Sequence, residues 1–123
     1  MVEFVDIFPT LSDLCNLEIP ETVEGKSLVP LLENSTADWT DYVICKYHDG
    51  LTIRTPEYSY TEWRNAEDSL ISYMLYDHIH DADETNNLML DLAYKKIGEK
   101  LSKKMHENKG TDYFKENEIS TNE

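Results

Sequence analysis

Lys46, Tyr47 and His48 stand side by side just before Asp49-Gly50, where a strand-like run meets a turn signal. A lysine ammonium beside an imidazole that titrates near neutrality suits recognition of an anionic or hydroxylated ligand such as a sugar. The same residues also fit an ordinary surface strand end with Tyr47 packed inward. A second concentration of chemistry runs from Tyr76 to Glu84, where His78 and His80 alternate among Asp77, Asp81, Asp83 and Glu84. Imidazoles two residues apart beside carboxylates offer ligands for zinc or calcium, but the spacing matches no established loop, and an EF-hand would need a glycine and a terminal glutamate that are absent. A solvated turn leading into a helix needs the same acidic composition, and that reading is preferred. Cys15 and Cys45 sit in apolar surroundings without metal-ligand spacing and are expected to be buried free thiols.

Arg54 has the charge to clamp an oxyanion such as sulfate, yet it lies in a regularly alternating strand. A structural ion pair, or a cation–π contact with Tyr60 or Trp63, is expected there instead. Tyr58, Tyr60 and Trp63 suggest a sugar-stacking platform, but aromatic residues in a sheet beneath a helix are expected to be core.

The elements that position these groups follow from the pattern of apolar residues. Asp6 is placed to cap a helix in which Ile7, Phe8, Leu11, Leu14 and Cys15 recur at three- and four-residue spacing. That greasy face has no obvious partner within the chain. Pro20 and Gly25 break the segment, Ser27 is placed to cap a short helix through Leu32, and residues 33–40 form a polar connector. Strand character follows in 42–47, 51–55, 58–63 and 72–76, with short connections at Asp49-Gly50 and Pro56-Glu57 that favour antiparallel neighbours. Thr85 or Asn86 is expected to open a long helix carrying Leu88, Leu92, Ala93, Ile97, Leu101 and Met105 on one stripe. The expected fold is α+β, a small four-stranded antiparallel sheet packed with a long C-terminal helix and preceded by a helical piece. Residues 109–123 read as a frayed polar tail.

The 123 residues carry a formal net charge of -14, which opposes non-specific binding to nucleic acid or anionic membranes, so neither is expected as a partner. The N-terminus lacks a basic region and Pro9 interrupts its apolar run, so it does not read as a signal peptide. No apolar run approaches the roughly 18 residues that a membrane span needs.

Four ordered motifs carry a family resemblance. They are Val5-Asp6-Ile7-Phe8-Pro9-Thr10-Leu11 with Gly25-Lys26-Ser27-Leu28, the Ile53-Arg54-Thr55 to Tyr58-Ser59-Tyr60-Thr61-Glu62-Trp63 hairpin, Leu75-Tyr76-Asp77, and Asp81-Ala82-Asp83-Glu84-Thr85-Asn86-Asn87-Leu88. Over residues 2 to about 105 the chain resembles the C-terminal part of sulfatases, and the hairpin spelling looks most like the iduronate-2-sulfatase branch. Departures are Ala82 where the turn usually carries proline, Ser59 where the hairpin often carries arginine, and a shorter connection at His48 to Gly50.

The resemblance implies an alkaline-phosphatase/sulfatase-like C-terminal region, with residues 1–40 ending the α/β catalytic domain and 41–108 forming the C-terminal subdomain. It implies an intact parent that hydrolyses sulfate esters of saccharides with formylglycine and calcium, in the periplasm, outside the cell or in a lysosome. Neither cysteine lies in the Cys-x-Pro-x-Arg motif from which formylglycine is made, so no catalytic and no metal residue is assigned here. Lys46 and His48 are the expected substrate-facing residues. The expected partners are the missing N-terminal catalytic region and a sulfated saccharide. A non-catalytic light subunit, an acidic interaction module and an inert truncated product are the alternative expectations.

Overall fold

The computed structural model describes residues 1–108, which form two compact units, the first spanning Met1–Val43 and the second beginning at Ile44. The tail expected over residues 109–123 lies outside the described residues.

The first unit is built from a single-turn helix, Phe4–Asp6, continuing into α1 (Ile7–Leu14), and a short α2 (Val29–Glu33). Asp6 does not cap α1 through its side chain as its position suggests. Its carboxylate instead closes a capping box by accepting from the Glu3 amide at 2.9 Å and reaches across the chain to the Lys26 amide, also at 2.9 Å. Thr10 donates its hydroxyl to the Asp6 carbonyl at 2.5 Å and accepts from the Leu28 amide at 2.9 Å. Ser27 accepts from the Val29 amide at 3.2 Å at the start of α2, near the expected cap, and donates to Asp13 at 2.5 Å. These bonds join the Pro-Thr-Leu helix to the Gly-Lys-Ser-Leu turn, two segments that are remote in sequence.

Docking the turn on α1 uses the polar side of the helix, where Pro9, Thr10 and Ser12 are buried. The apolar side faces outward: Ile7, Phe8, Leu11 and Leu14 are all exposed, as are Phe4 and Leu17. Cys15, expected to be buried, is exposed at the end of this face.

From the boundary residue Val43 onward, β1 (Val43–Tyr47), β2 (Gly50–Arg54), β3 (Tyr58–Arg64) and β4 (Leu70–Asp77) form one sheet in the order β1-β2-β3-β4. The β2–β3 and β3–β4 pairs are antiparallel, in a register that sets Leu51 opposite Glu62, Ile53 opposite Tyr60, and Tyr60 opposite Leu75. Directly opposed residues share a face, so Leu51, Ile53, Tyr60, Glu62, Leu75 and Asp77 line one side. α3 (Lys95–Asn108) buries Gly98, Leu101 and Met105. With Ile44, Leu51, Ile53, Tyr60 and Leu75, Leu101 and Met105 form the apolar core. On the other side Thr52 and Thr61 pair their hydroxyls at 2.8 Å.

Two sequence expectations change here. Cys45 is exposed because it follows buried Ile44 on a strand, and a period of two sends the two side chains to opposite faces. The C-terminal helix begins at Lys95, not at Thr85 or Asn86. Leu88–Leu90 form a separate 3-10 turn and Asp91 is extended, which leaves Leu90 and Leu92 exposed and not on a helical stripe.

The reason is the job taken by Asn87. Its Oδ1 accepts from the Leu75 amide at 3.0 Å and the Met89 amide at 3.1 Å, while its Nδ2 donates to the Tyr73 carbonyl at 3.2 Å. One amide side chain thus satisfies the outer edge of β4 as a neighbouring strand would, and a helix running through position 87 would pull it away.

Candidate functional site

β1 and the reversal into β2 present Lys46, Tyr47 and His48, and all three side chains are exposed. The tight reversal requires a left-handed residue, and His48 supplies it with φ 49°, a conformation histidine tolerates better than most side chains. Gly50 then starts β2 directly beneath the indole of Trp63, where an added Cβ would lie 3.0–3.1 Å from three ring carbons. The Asp49 carbonyl accepts from the Arg64 amide at 3.0 Å, so the reversal is held to β3 on its far side. Tyr47 is 70% exposed, not packed inward, and its ring meets the His48 imidazole edge-to-face at a centroid distance of 4.5 Å. The arrangement supplies an ammonium, an imidazole and an aromatic face on a well-anchored turn.

Arg54 takes part in an ion-pair group. Its Nη1 lies 2.9 Å from His78 Nε2 and 3.5 Å from Glu84, and His78 Nε2 lies 2.6 Å from the same Glu84 oxygen. This agrees with the structural ion pair expected of Arg54. It ties the end of β2 to the turn after β4.

That turn is organised by its own acids. Asp77 accepts from the Ile79 and His80 amides and pairs with His80 Nδ1 at 2.9 Å, and this bond to His80 holds its carboxyl below the ordinary value. Asp81 accepts from the Thr85 amide and hydroxyl and from the Asn86 amide, and the two amides lower its carboxyl likewise. Both carboxylates are thus engaged within the turn. Among the described residues no group of three His, Cys, Asp or Glu side chains is placed to hold a metal ion. The calcium implied by the resemblance therefore has no fitting ligand set among these residues, and neither cysteine fits the formylglycine motif.

The feature that sequence reasoning missed is the buried Glu62. It accepts from Tyr60 at 3.0 Å, from Ser102 at 2.5 Å, from Arg64 at 2.9 and 3.0 Å, and pairs with His106 Nε2 at 2.8 Å. Burial pushes its carboxyl up, but the bonds from Ser102, His106, Arg64 and Tyr60 outweigh it and hold the pKa at about 2. Burial, with the neighbouring Glu62 charge, raises the Tyr60 phenol. The carboxylate is ionised and its acceptor capacity is filled, so the cluster locks α3 to β3 and leaves no open position for a reactant. A trace of it was legible in the alternation Tyr60-x-Glu62-x-Arg64, but Ser102 and His106 join from forty or more residues away.

A four-stranded antiparallel sheet backed by a C-terminal helix, with the Asp6–Lys26 and Asn87–Leu75 contacts built from the motif residues, is the C-terminal region of an alkaline-phosphatase-like sulfatase fold. The chain belongs to the family described as N-sulphoglucosamine sulphohydrolase, C-terminal, which matches residues 1–111. It is 33% identical over 104 residues to a Delta 4,5-hexuronate-2-O-sulfatase of Bacteroides thetaiotaomicron, covering 76% of this chain and 20% of that protein. It is 29% identical over 115 residues to an N-acetylglucosamine-6-O-sulfatase of the same organism, covering 84% of this chain and 20% of that protein. A solved structure of a protein in complex with its substrate D-glucosamine-2-N,6-O-disulfate superposes with a TM-score of 0.72 at 26% identity, covering 96% of this chain and 25% of that one. The chain therefore spans about a fifth of the length of the curated relatives it matches. Among the described residues no helix is long and apolar enough to cross a membrane.

Proposed function

We propose that the chain is the C-terminal part of a sulfatase whose intact form hydrolyses sulfate esters of saccharides, with Lys46 and His48 facing the saccharide. The observation that carries this reading is the match of residues 1–111 to a sulfatase C-terminal family, together with relatives that are saccharide sulfatases several times longer. In such a parent, formylglycine and calcium supply the nucleophile and the Lewis acid, and both belong to residues other than those described here. This chain's part is binding: Lys46 offers an ammonium to an anionic sugar group, and His48 a hydrogen-bonding imidazole held by its left-handed backbone. A uronic acid sulfated at O2, the substrate class of the iduronate-2-sulfatase branch, suits a lysine at this turn. The hexuronate-2-O-sulfatase relative supports it.

The outward apolar side of α1 supports a catalytic region as the missing partner, since such a face gains stability only when covered. A separately encoded catalytic subunit would cover it equally well. The test is hydrolysis of a generic aryl sulfate with and without calcium, by the 123-residue chain alone and by the chain joined to the coding sequence upstream of Met1. No turnover alone and turnover when joined is the expected result. Turnover by the chain alone would overturn the assignment of the nucleophile elsewhere, and none in either form would overturn the reading that the catalytic region is continuous with this chain.

A further inference from the structure

We infer that Tyr47 is a sugar-stacking residue, its exposed ring receiving the apolar C–H face of a pyranose next to the one that bears the charged group. The inference rests on the reading that this turn faces a sulfated saccharide, and it adds a residue and a substrate length to it. A phenol ring that is 70% exposed has an open face, whichever ring supplies the edge in its 4.5 Å contact with His48. The ring is also positioned: His48 meets it at an interplanar angle of 84°, and His48 is fixed by the reversal into β2. An aromatic side chain held in place in water with a free face suits a ligand that is apolar on one side and hydroxylated around its rim, and a pyranose has that form.

Strand alternation decides which ring it contacts. Lys46 and Tyr47 are successive residues of β1 and leave the strand on opposite faces. A single sugar cannot lie flat on Tyr47 and also present its anionic group squarely to Lys46. Two neighbouring sugars of a chain can, so the turn fits an oligosaccharide better than a monosaccharide.

Saturation-transfer NMR on the full 123-residue chain with a neutral, unsulfated disaccharide, N,N′-diacetylchitobiose at millimolar concentration, tests the stacking without the charge. Transfer from the protein to the sugar ring protons is expected for the native chain and for Tyr47→Phe, with a roughly fivefold or greater loss for Tyr47→Ala, the fold-change an aromatic contact carries. No transfer to the native chain, or equal transfer to Tyr47→Ala, would overturn the inference. The charge reading is tested separately by a sulfated analogue of the same disaccharide. Loss of its extra affinity in Lys46→Ala supports the paired-sugar geometry, and full retention of that extra affinity counts against it.

Discussion

The Asp6 carboxylate and the Lys26 amide meet at 2.9 Å, although twenty residues separate them in sequence. Asp6 is buried, so its two oxygens act as the fixed point onto which the 24–28 turn folds, the second oxygen holding the Glu3 amide. Asp6→Ala leaves both amides without that acceptor and is expected to cost about 1–3 kcal/mol of local stability. Amide hydrogen exchange checks it. Lys26 and Leu28 should lose protection while residues 58–64 keep theirs.

Gly25 tests the same contact without removing a polar group. A Cβ at position 25 would lie 2.0 Å from the Val5 carbonyl oxygen, and backbone cannot yield as a flexible side chain does. Gly25→Ala is therefore expected to displace the turn and reproduce the exchange pattern of Asp6→Ala. Unchanged protection at Lys26 would show that the close approach does not constrain the turn.

The strands were legible in the sequence because alternation and the turn residues at Asp49-Gly50 and Pro56-Glu57 mark them locally. The start of the C-terminal helix was not, because Leu88 and Leu92 keep a helical spacing while Asn87 is engaged by the edge of β4. Nothing local announces that Leu75 and Tyr73 need a partner. The apolar neighbours of Cys45 suggest burial, although its offset of one from Ile44 already sends it to the opposite face. The Glu62 cluster could not be assembled from sequence, since it exists only when α3 lies across β3. The place of Lys46 and His48 at a strand end is readable from the apolar alternation before them and the Asp49-Gly50 turn after them. The structure adds that Tyr47 beside them is exposed.

Asn87 offers a test of that tertiary demand. Asn87→Asp keeps an acceptor for the Leu75 amide but replaces the donor facing the Tyr73 carbonyl with a negative oxygen. A loss of about 1–2 kcal/mol is expected in urea unfolding, with faster exchange at Leu75 and more self-association through the uncovered β4 edge. Equal stability of the two chains would mean that the edge is satisfied by other groups.

Glu62 should make the fold acid-sensitive. Its carboxyl is held at about 2 in the folded chain against an ordinary value of 4.5. A depressed carboxyl stabilises the fold above the unfolded value and loses that contribution as pH falls through the folded one. Stability should thus drop between about pH 5 and pH 2, by on the order of 2–3 kcal/mol from this group. Glu62→Gln removes the titrating group while disturbing the bonds to Arg64, Ser102 and His106. It should be less stable at pH 7, by roughly 3 kcal/mol or more, and show a shallower loss in acid. Urea midpoints at pH 7, 4 and 2.5 read both effects, and parallel acid losses in the two chains would assign the sensitivity to other carboxylates.

Lys46 is the residue on which the saccharide reading turns. A chain with a net charge of -14 repels polyanions at long range, so an anionic sugar approaching β1 needs local positive charge, and Lys46 provides it at the strand end. In an intact parent containing this region, Lys46→Ala is expected to lower kcat/KM for a sulfated oligosaccharide by roughly tenfold, the effect of losing one exposed charge-assisted contact. On that reading a small aryl sulfate is too short to reach the turn and should be hydrolysed as before. The comparison separates recognition from folding: a damaged fold lowers both rates together, whereas a lost sugar contact lowers only the first. Equal rates on the oligosaccharide for Lys46→Ala and the native enzyme would make the strand end an ordinary surface turn.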